Sequence, residues 1–217
     1  MQANGRSQSK NAVQHLVAAR LPTRYGDFEI HLYFNSLDSK DYIAMVMGDL
    51  ATGEPALVRV HSECLTGEVF GSARCDCGEQ LARSLQMISD AGRGVLLYMR
   101  QEGRGIGLAD KLRAYNLQDE GMDTVDANLA LGHQADARHY DFAALMLKDL
   151  GVTQISLLTN NPNKVEELQT LGIEVVERIP LMGEVTPENE RYLLTKAERL
   201  KHFLDLPQND GSQNGAS

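Results

Sequence analysis

Between Phe28 and Val60 the apolar residues fall in short runs or alternate with polar ones, as at Phe28, Ile30, Leu32 and Phe34 and again over Ile43 to Met47. A period of two, interrupted by Asp, Gly and Ser turn signals, predicts a β-rich, antiparallel stretch. From Glu79 the period lengthens: Leu81, Leu85 and Ile88 mark one face of a helix, and Gly92 and Gly94 punctuate its end. Val95 to Met99 then reads as a buried strand, Arg100 to Gly107 as a polar, glycine-rich loop and Leu108 to Leu117 as a helix. Asp141 stands where it would cap a helix reaching Leu150, and Ile155 to Leu158 has the character of a strand. Asn161-Pro162 supplies an N-cap and a first helical residue, and Ile173 to Val176 closes a strand, helix, strand unit. The pattern predicts a mixed α/β (α+β) fold: a β-rich N-terminal part, followed by alternating helices and strands around one active site, with the chemistry at strand ends.

Residues 1–12 and 207–217 are rich in Gly, Ser, Asn and Gln and have little to bury, so both read as flexible tails around a single domain at 13–206. No period of about 20 to 50 residues repeats along the chain. The apolar runs are too short to span a bilayer and the N-terminus has no hydrophobic leader, which predicts a cytoplasmic protein without membrane contact. A formal charge of −9 argues against nucleic acid as a partner, because a phosphate backbone calls for a basic face. A small polyanion stays open, since a few clustered arginines and a divalent cation can meet its charge inside an acidic protein.

The chain has three cysteines, Cys64, Cys75 and Cys77, packed into one short stretch. An odd number without a secretion signal makes a disulfide framework a poor reading and metal chemistry a better one. Three thiolates that can close on one ion favour zinc, and the lack of a clear fourth ligand leaves room for water, as at a catalytic metal. Buried thiols acting as small hydrophobes, or a structural zinc completed by His61, are the competing readings. Three thiolates also leave the complex anionic, so its water needs help from neighbouring groups.

The segment Arg59-Val60-His61-Ser62-Glu63-Cys64-Leu65-Thr66-Gly67-Glu68-Val69-Phe70, followed by Arg74-Cys75-Asp76-Cys77-Gly78, resembles the zinc segment of GTP cyclohydrolase II, the enzyme family that opens riboflavin synthesis. The resemblance continues through Arg100 to Leu108, Lys111 to Tyr115, Asp123 to Asn128 and Leu158 to Pro162, and with Leu21-Pro22-Thr23 it covers nearly all of the predicted domain. It implies one catalytic zinc per subunit on Cys64, Cys75 and Cys77, magnesium on the phosphates of GTP, and a homodimer. It also implies that Arg59, Val60, His61, Ser62 and Glu63, with Glu102, Gly103 and Arg104, line the GTP site. Gln80 and Thr124 match positions that contact GTP, and Thr159 and Lys164 match positions that hold the nucleotide by its phosphates.

Read without the family, several of these positions are neutral. A glycine-rich loop such as Arg100 to Gly107 recurs in ordinary turns, and a lysine in a first helical turn, like Lys164, is usually a solvated charge. Asp136 and Arg138 read by spacing as a surface salt bridge, and Tyr115 beside Leu112 as core. The resemblance instead implies that Asp136 accepts a proton, that Arg138 attacks the α-phosphate and expels pyrophosphate, and that the Tyr115 hydroxyl assists hydrolysis near the guanine ring. A guanidinium is a reluctant nucleophile, so electrostatic stabilisation by Arg138 is the milder alternative.

The implied reaction is addition of water at C8 of GTP, ring opening, and release of formate and pyrophosphate to leave a diaminopyrimidinone ribosylamine 5′-phosphate. Some relatives that retain the formyl group lack the tyrosine matching Tyr115. A cyclohydrolase that stops there, a GTP-binding homologue without turnover, and a zinc module for RNA or a regulatory partner are the rivals. A bifunctional form with a second catalytic domain is not expected in 217 residues. Ala73, Met122, His133 and Gln134 depart from close relatives, which bears on fine substrate preference rather than on the metal.

Overall fold

The computed structural model describes residues 13–204, so the two tails read from composition lie outside the described residues. Seven strands form one sheet: β1 (Val13–Thr23), β2 (Gly26–Asn35), β3 (Lys40–Met47), β4 (Ala56–Ser62), β5 (Gly94–Met99), β6 (Gln154–Leu158) and β7 (Glu174–Ile179). Their spatial order is β1-β2-β3-β5-β4-β6-β7. The first three form an antiparallel meander that continues antiparallel onto β5. The pairs β5 with β4, β4 with β6 and β6 with β7 are parallel. β4 therefore corrects the sequence reading, which placed it in the antiparallel stretch. Its near-continuous burial, Arg59 and His61 included, belongs to a strand covered on both faces, as parallel strands usually are.

Helices supply that cover. After the single turn α1 (Leu65–Glu68), helix α2 (Cys77–Ala91) turns Leu81, Leu85 and Ile88 onto a core with Phe28, Met45 and Leu96. Gly92, at φ 67° in the left-handed region, ends α2. α3 (Leu108–Asp119) and α4 (Thr124–Ala130) follow, then α5 (Asp141–Asp149) and α6 (Pro162–Thr170). α5 and α6 cover the other face, where Phe142, Met146, Leu147 and Leu168 meet Val58, Val60, Val95, Leu97 and Met99. Alternate residues of β5 thus feed two cores, which is why its sequence is apolar throughout. α7 (Glu190–Glu198) completes the described chain.

Two local expectations change. Tyr140, not Asp141, occupies the N-cap of α5 and makes no side-chain cap, while Asp141 is the first helical residue and meets the helix dipole there. Asn161 does cap α6, its side chain accepting from Asn163 N with Pro162 behind it. Among the described residues no helix is long and apolar enough to cross a membrane.

Ile88 is fully buried where α2 meets β2, β3 and β5. Ile88→Ala is expected to lower unfolding free energy by about 2–5 kcal/mol in urea titration, through lost burial and the cavity left behind. A loss under about 0.5 kcal/mol, the scale of surface substitutions, would mean that this face is not packed as described.

Candidate active site

Parallel strands put their C-terminal ends along one border of the sheet, and the chain leaving each end builds the site there. β4 leads into Cys64, β5 into a 3-10 turn at Glu102–Gly105, and β6 into Thr159 and α6. A cleft at this border is lined by Arg59, His61, Ser62, Glu63, Cys64, Cys75, Cys77, Gln80, Glu102, Gly103, Arg104, Tyr115, Thr124, Arg138, Thr159 and Lys164. Two of the expected residues stay out of the lining. The Val60 side chain is fully buried in the core, and its carbonyl accepts from Lys164 Nζ at 2.7 Å. Asp136 reaches the cleft only through Arg138, whose Nε donates to its Oδ1 at 2.8 Å and whose Nη2 donates to Oδ2. Ala73, Met122, His133 and Gln134 do not line the cleft.

The Sγ atoms of Cys64, Cys75 and Cys77 lie within 4.8 Å of one another, and those of Cys64 and Cys75 are 3.6 Å apart. A tetrahedral zinc with Zn–S near 2.3 Å sets its sulfurs about 3.8 Å apart, so the trio fits that ion. The electrostatics agree. Hydrogen bonds from Cys75 and Cys77 hold the Cys64 thiol far below its ordinary value, whereas its contacts with Cys64 and Cys75 push the Cys77 thiol well above it. One proton leaves readily and the last is retained, a conflict that a divalent cation removes. Gly67 closes on the cluster so tightly that a Cβ there would meet Cys75 Sγ at 2.9 Å and Cys64 Sγ at 3.3 Å. His61 is not part of the cluster; its Nε2 lies 2.8 Å from Glu68 Oε1, which also accepts from Cys64 N at 2.7 Å. A structural site completed by His61 is therefore not what this geometry builds.

The cluster has a cationic neighbour that the sequence reading missed. Lys111 Nζ donates to Cys64 Sγ at 3.2 Å and to Glu102 Oε1 at 2.7 Å. It places positive charge against the Cys64 sulfur, the help that a set of three thiolates would require on binding a metal. Tyr115 stands one helical turn on, its hydroxyl 3.1 Å from Thr66 Oγ1. Burial raises its pKa, so it stays a neutral O–H group at physiological pH.

Three cations that line the cleft, Arg59, Arg104 and Lys164, have no carboxylate hydrogen-bond partner. Arg59 is buried, donates to Leu158 O at 2.9 Å and to Gln80 Oε1 at 2.7 Å, and leaves Nε without a partner. Burial draws its pKa down to about 10. Lys164, which the resemblance matches to a phosphate-holding position, is buried; burial first, then Arg59 and Arg138, hold its pKa well below the lysine value. Arg104 sits at φ 61° beside Gly103 at φ 62°, which turns the loop back toward the cleft. Its Nη2 donates to Thr124 Oγ1 at 3.3 Å, and its buried Nη1 has no partner. Unpaired buried cations are costly, and an incoming polyanion would pair them.

Helix α7 and the residues after it, which the sequence reading left unassigned, add Tyr192, Lys196 and His202 to the lining. Lys196 Nζ donates to Asp76 Oδ1 at 2.9 Å, between Cys75 and Cys77. Isolated lysines at helical spacing carry no sequence signal for such contacts.

Lys164 yields a stability test. Its proton is held more tightly by the unfolded chain, so the folded protein gains stability as pH rises from the lowered pKa toward the ordinary 10.5. Lys164→Met is expected to raise the nucleotide-free Tm by a few degrees at pH 7 and to flatten that rise, read by calorimetry across pH. A lower Tm with the same pH dependence would mean that Lys164 is a satisfied ammonium.

The comparisons with known proteins agree with this arrangement. Residues 14–180 match the GTP cyclohydrolase II family. A riboflavin biosynthesis protein RibBA from Bacillus mycoides is 57% identical over 201 residues, covering 93% of this chain and 51% of that protein. RibBA of Bacillus cereus strain ATCC 14579 is 60% identical over 186 residues, 86% of this chain and 47% of its own length. The chain thus spans about half the length of the curated relatives it matches. A solved structure of RibBX, a two domain 3,4-dihydroxy-2-butanone 4-phosphate synthase from A. baumannii, is similar at a TM-score of 0.46 and 21% identity, over 81% of this chain and 42% of that one, too distant to bear on function. With its matched segment carrying the three thiols, the 3-10 turn and the Lys164 helix of the cleft, the chain belongs to the GTP cyclohydrolase II family.

Proposed function

We propose that the protein hydrolyses GTP to a diaminopyrimidinone ribosylamine 5′-phosphate, releasing formate and pyrophosphate, as an early step of riboflavin synthesis. The observation that carries this reading is the pairing, in one cleft, of a three-thiol metal cluster with buried cations that have no carboxylate partner. The thiols suit hydrolysis and the cations suit a triphosphate. Zinc on Cys64, Cys75 and Cys77 would supply a Lewis acid and an activated water. Magnesium would accompany the phosphate oxygens. A cytoplasmic location and a homodimer belong to the same reading.

The residues then divide the work. Arg59, Arg104 and Lys164 pair the phosphates, and their fixed positions hold the guanine toward the sulfur end, so that binding energy from the triphosphate orients C8. Water adds at C8, the C8–N9 bond breaks, and the ring opens to a formamide. Lys111 keeps the thiolates from accumulating charge, while the neutral Tyr115 hydroxyl donates a hydrogen bond to oxygen that becomes negative as water attacks the formamide. A second hydrolysis releases formate.

At the α-phosphate the pairing of Arg138 with Asp136 favours the milder role. Burial opposes the Arg138 charge, yet Tyr140 and Asp136 hold its pKa above the ordinary arginine value. A guanidinium so firmly protonated is a poor nucleophile and a good clamp. Burial likewise opposes ionisation of Asp136, but its bonds from Arg138 keep the carboxyl below its usual range. Water adds at the α-phosphorus as its bond to the pyrophosphate oxygen breaks, Arg138 stabilises the charge on the departing pyrophosphate, and Asp136 fixes the guanidinium's orientation.

Incubating zinc-loaded protein with GTP and magnesium is expected to yield equimolar formate and pyrophosphate. Tyr115→Phe is expected to lower formate release at least about tenfold while pyrophosphate persists, in the range of lost proton-donor assistance, with the nucleotide product retaining the formyl mass. Wild-type protein that releases pyrophosphate and keeps the formyl group would replace this reading with the truncated reaction. Binding of GTP without any product would assign a homologue that does not turn it over.

A further inference from the structure

Part of the cleft wall comes from chain beyond the family match at residues 14–180. Tyr192 and Lys196 of α7, and His202 after it, line the cleft. This segment is fastened at several points. Arg191 Nη2 donates to Gly121 O at 2.5 Å, and Arg199 donates to Asp123 Oδ2 at 2.5 Å and to Asp126 Oδ1 at 3.0 Å, tying α7 to the start of α4. Phe203 N donates to Asn160 O at 2.8 Å, and its ring lies 4.7 Å from the Arg178 guanidinium.

Lys196 is the point where this wall meets the chemistry. Its side chain is 10% exposed and that of its partner Asp76 is 1% exposed, at 2.9 Å. The second Asp76 oxygen accepts from Gln80 Nε2 at 2.5 Å, and Gln80 Oε1 accepts from Arg59 Nη2. A hydrogen-bonded chain thus runs from α7, through the residue between Cys75 and Cys77, to the buried arginine of β4. An ammonium has three donors, and among the described residues Lys196 makes one hydrogen bond, leaving two donors on a group that lines the cleft. The Tyr192 ring, 4.3 Å from Lys196 Nζ and 5.6 Å from the Arg104 guanidinium, sits between the α7 cation and the loop cation.

We propose that α7 closes the nucleotide cleft and that Lys196, held in place by Asp76, is a polyphosphate-recognition residue contributed by this C-terminal wall. The inference rests on reading the cleft as a GTP site and adds a group that selects for the number of phosphates. One strand-end wall, with Arg59 and Lys164, and one C-terminal wall, with Lys196, then grip the polyphosphate from two elements far apart in sequence. His202 completes the second wall; burial first, then Lys196, Arg138, Arg104 and Lys164, draws its pKa to about 3, so it adds bulk rather than charge.

The test uses the zinc-loaded 217-residue chain and calorimetric titration with the α,β-methylene analogue of GTP and with GMP. Lys196→Gln is expected to weaken analogue binding about tenfold to a hundredfold, the scale of a charge-assisted hydrogen bond, and GMP binding far less. Lys196→Arg is expected to recover most of the loss, and zinc content to stay at one per chain in all three proteins. Equal losses for analogue and GMP, or unchanged analogue affinity with a lower Tm, would make Lys196 a strut between α7 and Asp76 and overturn the proposal. Wild-type protein that does not prefer the triphosphate analogue to GMP would instead remove the GTP reading beneath it. If Lys196→Gln does not fold, Arg199→Ala loosens α7 from its exposed side and is expected to raise KM for GTP with kcat little changed. An unmoved KM there would contradict closure by α7.

Discussion

Uncompensated charge at the ends of the parallel strands is the constraint on which the rest of the site depends. Three thiols within 4.8 Å cannot all ionise beside one another, and Arg59, Arg104 and Lys164 are held in or near the interior without carboxylates to meet them. Both conditions are expensive in the free protein, since buried like charge is opposed by desolvation and by repulsion. The first calls for a cation and the second for an anion. The proposed substrate, with a polyanionic tail and a ring to be hydrolysed, would meet both needs, and the free-energy cost carried by the nucleotide-free cleft would become binding selectivity.

The sheet makes this tension tolerable by anchoring each charge to rigid backbone. Arg59 is embedded in β4, next to β5 and β6, and donates to the last residue of β6. Lys164 is held on the β4 carbonyl at Val60, and Cys64 is fixed through its N–H by Glu68, which also takes the Tyr98 hydroxyl from β5 at 2.5 Å. Small shifts in such a sheet are resisted by two packed cores, one on each face, so the cations cannot relax apart. The antiparallel meander of β1 to β3 extends the same sheet and supplies Phe28, Tyr33 and Met45 to those cores without entering the cleft.

Much of this was legible in the sequence where a local pattern carries it. The α2 face at Leu81, Leu85 and Ile88, the β5 run and the Asn161-Pro162 cap are encoded within a few residues. The thiol cluster was equally visible, because soft ligands at short spacing have few other uses. β1 was not, since most of its residues are exposed and a register shift between His15 and Val17 breaks its alternation. The parallel setting of β4 was hidden because pairing direction is decided by strands distant in sequence, β5 and β6, rather than by the residues of β4 itself. Lys111 and Lys196 were illegible for a different reason. Their partners Cys64 and Asp76 lie 47 and 120 residues away, and a lysine on a helix looks solvated until the fold buries it. Glu68, which orients both His61 and Cys64, hid inside a recognised motif as one more acidic residue.

The central claim is that the three thiols hold a metal whose remaining position opens onto the nucleotide cleft. X-ray absorption at the zinc edge of the loaded protein tests it most directly, with and without the α,β-methylene analogue of GTP. The account predicts three sulfurs near 2.3 Å and one lighter scatterer, with the lighter shell changing when the analogue binds. A fourth protein ligand from sulfur or histidine, in a shell that the analogue leaves untouched, would contradict it and make the metal structural.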